Sequence, residues 1–202
     1  MAAIAYEFKN VSKSNIITDL SFSIEAGKSV GFVVEDDTAR QLFSNLIAGL
    51  DSPDEGELHI HGKVPYFDGY PYEELGVLLT EPSFINTHDG FKNLKFLSEF
   101  NSNVENIRIT KVMNFVGLDS LSETKVCNYS CAMYKKLCLA YALIPESDIL
   151  IINEPFRYLN EKALNDFNTI YSKLRTRNTI IYIAENEEYL PPLCDAMYRL
   201  NI

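Results

Sequence analysis

Residues 29–50 read SVGFVVEDDTARQLFSNLIAGL. The first six, Ser29 to Val34, make an apolar run of strand length, while Leu42, Phe43, Leu46, Ile47 and Leu50 recur at helical spacing. A buried strand therefore feeds a helix through a short acidic connection, Glu35-Asp36-Asp37. Two further apolar runs downstream have the same look, ILIIN inside Asp148 to Pro155 and TIIYIA inside Asn178 to Glu185. A helical pattern from about Asn160 to Leu174 lies between them. Strands alternating with helices predict an α/β fold whose sheet is mostly parallel and covered on both faces.

Outward from this centre, Ile4 to Phe8, Asp19 to Ile24 and Glu57 to Lys63 alternate apolar and polar side chains, as in a half-exposed antiparallel layer at the N-terminal side. Glu74 to Glu81 reads as another buried strand, and Met197 to Asn201 as the last one. Gly90 to Phe100, Val104 to Val116 and Cys131 to Leu143 read as three helices with no strand between them. The expected organisation is one domain over 1–202, with a core from 1–81 and 146–202 interrupted by a helical subdomain at 82–145.

The 202 residues carry 28 Asp and Glu against 18 Lys and Arg, a net charge of −10. That sign opposes sequence-independent binding to phosphate backbones, so nucleic acid is not an expected partner. No apolar run approaches the ~20 residues of a membrane span, and the opening MAAIAYEFKN does not read as a signal peptide. A cytoplasmic location is expected. Four cysteines are too sparse for a disulfide scaffold and are expected to be reduced. His59 and His61 share a two-residue spacing on a predicted strand but have no third ligand nearby. Tyr66, Phe67, Tyr70 and Tyr72 are read as core and loop packing.

Five stretches occur in a fixed order: NVSKSNIITDLSFSIEAGKSVGFV (10–33), LIAGLDSPDEGELHIHGK (46–63), EPSFINTHDGFKNLKFL (81–97), NYSCAMYKKLCLAYALI (128–144) and ILIINEPFRYLNEKAL (149–164). Their succession resembles the nucleotide-binding subunit of ATP-binding-cassette transporters, a P-loop NTPase fold, over nearly the whole chain. VLLTEPSFIN (77–86) resembles the bacitracin and lantibiotic resistance branch of that family. The resemblance implies a transmembrane permease subunit as partner, attachment through it to the inner face of the membrane, and a dimer with an identical or different cassette.

Counting back from LIAGL places the phosphate loop implied by the resemblance on VEDDTARQL, and the other site positions follow from their own segments. The phosphate loop G-x-x-x-x-G-K-[ST] needs glycines for its wrapped backbone, lysine for the β and γ phosphates and a hydroxyl for Mg²⁺. Its first glycine falls on Val34, an additional family glycine on Asp37, the second on Ala39, the lysine on Arg40, and the last positions on Gln41 and Leu42. The magnesium positions are then Gln41 and Asn153, and the general base is Glu154. The signature that clamps ATP on the opposite subunit reads Ser130-Cys131-Ala132 without its glycines. Glu81 takes the place of the glutamine at the entrance to the helical lobe, Asn160 that of the aspartate following the acidic pair, and Glu185 that of the switch histidine. Near Lys13 to Ile16 no aromatic is placed to stack an adenine.

Of these positions only Glu154 and Ser130 keep the family residue. A carboxylate ~6 Å from a phosphate charge costs about 3 kcal/mol at an effective dielectric of ~20, and there are three in the loop. The expectation is a pseudo-ATPase with no cofactor, docked on a permease or on an active cassette. One alternative is a true MgATP-dependent transporter ATPase with a remodelled loop, exporting a peptide or antibiotic, with Arg40 replacing lysine. The other is a soluble protein that never meets a transporter and whose acidic loop, Glu35 to Asp37, attracts a basic partner or a cation.

Overall fold

The computed structural model describes residues 3–65, 75–99 and 104–200. Two compact units divide the chain. One comprises the described residues up to Leu79 together with Ser147–Phe156 and those from Tyr171 onward; the other comprises Thr80–Glu146 and Arg157–Ile170.

The first unit holds both sheets. Strands β1 (Ile4–Lys13), β2 (Ile17–Glu25) and β4 (Glu55–Ile60) form an antiparallel layer in the order β2-β1-β4. Strands β3 (Ser29–Val33), β5 (Leu75–Leu78), β6 (Ile149–Asn153), β7 (Thr179–Ala184) and β8 (Ala196–Arg199) form a parallel sheet in the order β5-β6-β7-β3-β8. The continuous apolar runs explain the centre of that sheet: every residue of β3 and β7 is buried, as expected of strands covered on both faces. Helix α1 (Asp37–Ile47) turns Phe43, Leu46 and Ile47 inward. Phe43 packs 5.0 Å from Phe32, and Phe8 of the antiparallel layer stacks 4.6 Å from Phe22. These rings and the aliphatic faces of β6 and β7 make one core.

Two differences from the sequence reading have local causes. β1 continues past Phe8 to Lys13 because an irregularity between Phe8 and Val11 resets the alternation and returns Val11 to the core. Asn10 takes φ +51 there, with its side-chain amide donating to Asp19 Oδ1 at 2.7 Å. The second difference is in β4, which ends at Ile60. His61 leaves it at φ +50 and reaches Asp148 at 3.2 Å, while His59 faces Glu57 at 3.4 Å. The two imidazoles thus serve separate carboxylates, and no group of three or more His, Cys, Asp or Glu placed to hold a metal occurs among the described residues.

The second unit contains α2 (Gly90–Ser98), α3 (Asn106–Phe115), α4 (Cys131–Ala142) and the first part of α5 (Glu161–Leu174). Side chains cap the starts of α2, α4 and α5: Asp89 accepts from Lys92 N, Ser130 from Met133 N and Asn160 from Ala163 N. Leu94, Ile109, Met113 and Leu137 are buried between α2, α3 and α4. Among the described residues no helix is long and apolar enough to cross a membrane. The aromatic residues Tyr66, Phe67, Tyr70 and Tyr72, and Phe100, lie outside the described residues.

Candidate functional site

In parallel register Val33 stands beside Ala184, and Asn153 beside Ile183. The chain keeps pairing just beyond, with Val34 N–H donating to Ala184 O (2.9 Å) and Glu154 N–H to Ile183 O (2.8 Å). This register brings the β3–α1 loop, Glu154 and Glu185 together at the carboxyl ends of the strands, where open α/β sheets place their ligands.

The loop itself is a helix cap. Asp36, at φ −72 and ψ 126, accepts from Ala39 N at 2.8 Å and, through its carbonyl, from Arg40 N at 2.9 Å. Among the described residues none from Val34 to Gln41 has a positive φ. Val34 and Ala39 are buried in the core. Leu42 packs against that core, and exposed Gln41 donates to Asn45 Oδ1 at 2.9 Å.

Arg40 turns inward. Its side chain is 5% exposed, and its Nη1 donates to Val34 O at 2.8 Å and to Glu35 O at 3.4 Å. Its Nη2 pairs with Asp37 Oδ1, and its Nε lies 3.4 Å from Glu154 Oε1. Glu154, at φ +50, also accepts Glu185 N–H at 2.8 Å. Asn153 donates to Leu79 O at 3.1 Å, and its buried Oδ1 has no hydrogen-bond partner among the described residues. Glu35 pairs with Arg199 of β8, whose other nitrogen lies 3.5 Å from Glu187. All three loop carboxylates thus have partners within the chain.

The remaining positions belong to the helical unit. Ser130 caps α4, Cys131 approaches Tyr158 O with its sulfur at 3.5 Å, and Ala132 follows in the first turn. Tyr158 is 74% exposed at φ +66, with the Arg157 guanidinium 5.0 Å from its ring centre. Glu81 lies 3.5 Å from Lys135. Burial, and then the Glu81 charge, push the Cys138 thiol up to about 12. Asn160 serves as the cap of α5. The inward course of Arg40 and the roles of Arg199 and Glu187 escaped the sequence reading. Arg199 is a lone charge on the final strand, 164 residues from its partner Glu35.

The ABC transporter family model matches residues 17–157. The chain belongs to the ABC transporter family. It is 26% identical over 194 residues to the ABC transporter ATP-binding protein YybJ of Bacillus subtilis (strain 168), covering 96% of this chain and 89% of that protein. It is 23% identical over 181 residues to the bacitracin transport ATP-binding protein BcrA of Enterococcus faecalis, covering 88% of this chain but only 58% of BcrA. The fold is that of cbiO1 from Clostridium perfringens, part of the ABC transporter complex cbiONQ. That match has a TM-score of 0.80 at 14% identity, over 98% of this chain and 84% of the other. The chain is thus related to ABC transporter ATP-binding subunits, with the P-loop NTPase fold expected of them.

Proposed function

We propose that the chain is a pseudo-ATPase: an ABC transporter subunit that has kept the cassette fold and lost hydrolysis. It docks on a membrane permease subunit at the inner face of the membrane, or pairs with an active ATP-binding subunit, and acts structurally or as a regulator. The observation that carries this reading is the buried Arg40 side chain, engaged by Val34 O, Glu35 O, Asp37 and Glu154. The residues present do not fit a magnesium-bound triphosphate. Ala39 and Arg40 N–H groups are taken by Asp36, the hydroxyl position holds Gln41 directed to Asn45, and Asn153 brings no charge. The carboxylate of Glu154, the candidate base, lies 3.4 Å from the Arg40 guanidinium.

A second reading, a working ATPase that drives export of a peptide or antibiotic, rests on Glu154 at the end of β6. A third, a soluble protein recruiting a basic partner through its acidic loop, is weakened by the internal partners of Glu35, Asp36 and Asp37. Titration of the purified protein with MgATP in a calorimeter is expected to give no submillimolar binding, and a phosphate-release assay no turnover. Submillimolar binding that disappears in Arg40→Ala, with turnover lost in Glu154→Gln, would overturn the proposal in favour of the ATPase. Co-purification with a permease separates the first reading from the third.

A further inference from the structure

The inner wall of the β3–α1 loop has its polarity reversed. A phosphate-binding turn points backbone N–H groups at its ligand. Here two carbonyl oxygens, Val34 O and Glu35 O, point at the cation, with the Glu154 carboxylate beside them and the Asp37 carboxylate closing the solvent side. Four oxygens from the loop, the first turn of α1 and the end of β6 surround one planar cation. A guanidinium spreads five N–H donors in a plane, which suits a ring of acceptors better than a lysine ammonium does.

We propose that this loop is a cation seat filled by the chain's own Arg40, an internal tether that fastens the loop to the ends of β6 and β7 without any ligand. Glu154 is the shared link: it takes Arg40 Nε on one side and Glu185 N–H on the other, while its own N–H bonds to Ile183 O. These ties hold a non-glycine residue at φ +50, a backbone state that persists only where its surroundings fix it. The Glu35–Arg199–Glu187 cluster holds the outer side of the same loop. The inference deepens the pseudo-ATPase reading and rests on it only for the consequence that an anion is kept out. The seat itself is tested without nucleotide, so its failure is distinguishable from a failure of the titration above.

Arg40→Ala empties the seat and leaves oxygens facing a guanidinium-sized space. The variant is expected to melt roughly 4–12 °C below the unaltered protein, because two carbonyl oxygens lose their donor and a buried side chain is removed, while the Asp37 and Glu154 carboxylates stay open to water. Guanidinium chloride at about 50 mM, far below denaturing levels, should then raise its melting temperature by roughly 2–4 °C relative to equal sodium chloride. The unaltered protein and the Arg40→Ala/Glu154→Gln double variant should show no such gain. An Arg40→Ala melting point within about 1 °C of the unaltered protein overturns the proposal, and so does the absence of a guanidinium-specific gain. Should Arg40→Ala not fold, Arg40→Lys carries the test. It must melt lower than the unaltered protein, and less than additively when combined with Glu154→Gln; an unchanged melting point or strict additivity overturns the seat.

Discussion

Asp36 and Gly56 show how much single residues decide, one at the site and one in the antiparallel layer. The Asp36 carboxylate satisfies the Ala39 N–H at the start of α1, so Asp36→Ala should cost about 1 kcal/mol, read as a shift in a urea unfolding midpoint at unchanged slope. Gly56 sits at φ +81, and a Cβ built there would lie 2.3 Å from the Asn10 carbonyl oxygen, where β4 crosses the irregular part of β1. Gly27 has a similar φ of +78 but open space around the missing Cβ. Gly56→Ala should therefore destabilise clearly more than Gly27→Ala, since both bear the left-handed backbone cost of about 1–2 kcal/mol and only the first also meets a backbone atom. Equal midpoints for the two variants in the same titration would contradict that difference.

Among the elements, α4 separates two kinds of cysteine. Cys131 opens the helix and is exposed, as is Cys127 just before it, whereas Cys138 lies two turns further on in the core. Burial also pushes the Cys194 thiol up to about 12. At pH 8 a chromogenic disulfide reagent should therefore label Cys127 and Cys131 quickly, half-buried Cys194 slowly and Cys138 only on unfolding; four fast thiols would refute the burial of Cys138. The elements were also where the sequence was most legible. β3, β6 and β7 stood out because strands covered on both faces need uninterrupted apolar side chains, a pattern no loop imitates over five residues. β1 was read only to Phe8 because the reset at Asn10 breaks the two-residue period on which such a reading depends. The site was legible as a set of positions and illegible as geometry. A charged residue in the first turn of a helix ordinarily faces water, and nothing in EDDTARQL reveals that Arg40 folds back onto the carbonyls before it.

For the molecule as a whole, the raised thiols set an alkaline limit. Their folded values near 12 lie above the ordinary 9, so the folded protein holds these protons more tightly than the unfolded chain. The stability they contribute is complete below about pH 9 and is lost as pH climbs toward 12. Melting temperatures should fall across that window, and Cys138→Ala should flatten the fall; identical slopes for the two proteins would remove Cys138 from the account. The Arg40 contact has a consequence of another kind, for anyone wishing to rebuild a hydrolase from this scaffold. Giving position 40 a lysine alters one face of an interlocked charge group, and giving position 34 a glycine removes a side chain buried in the core, before any new ligand can repay the loss. One-letter edits therefore lead downhill in folding, and repair has to arrive as a simultaneous package spanning the loop and the tip of β6.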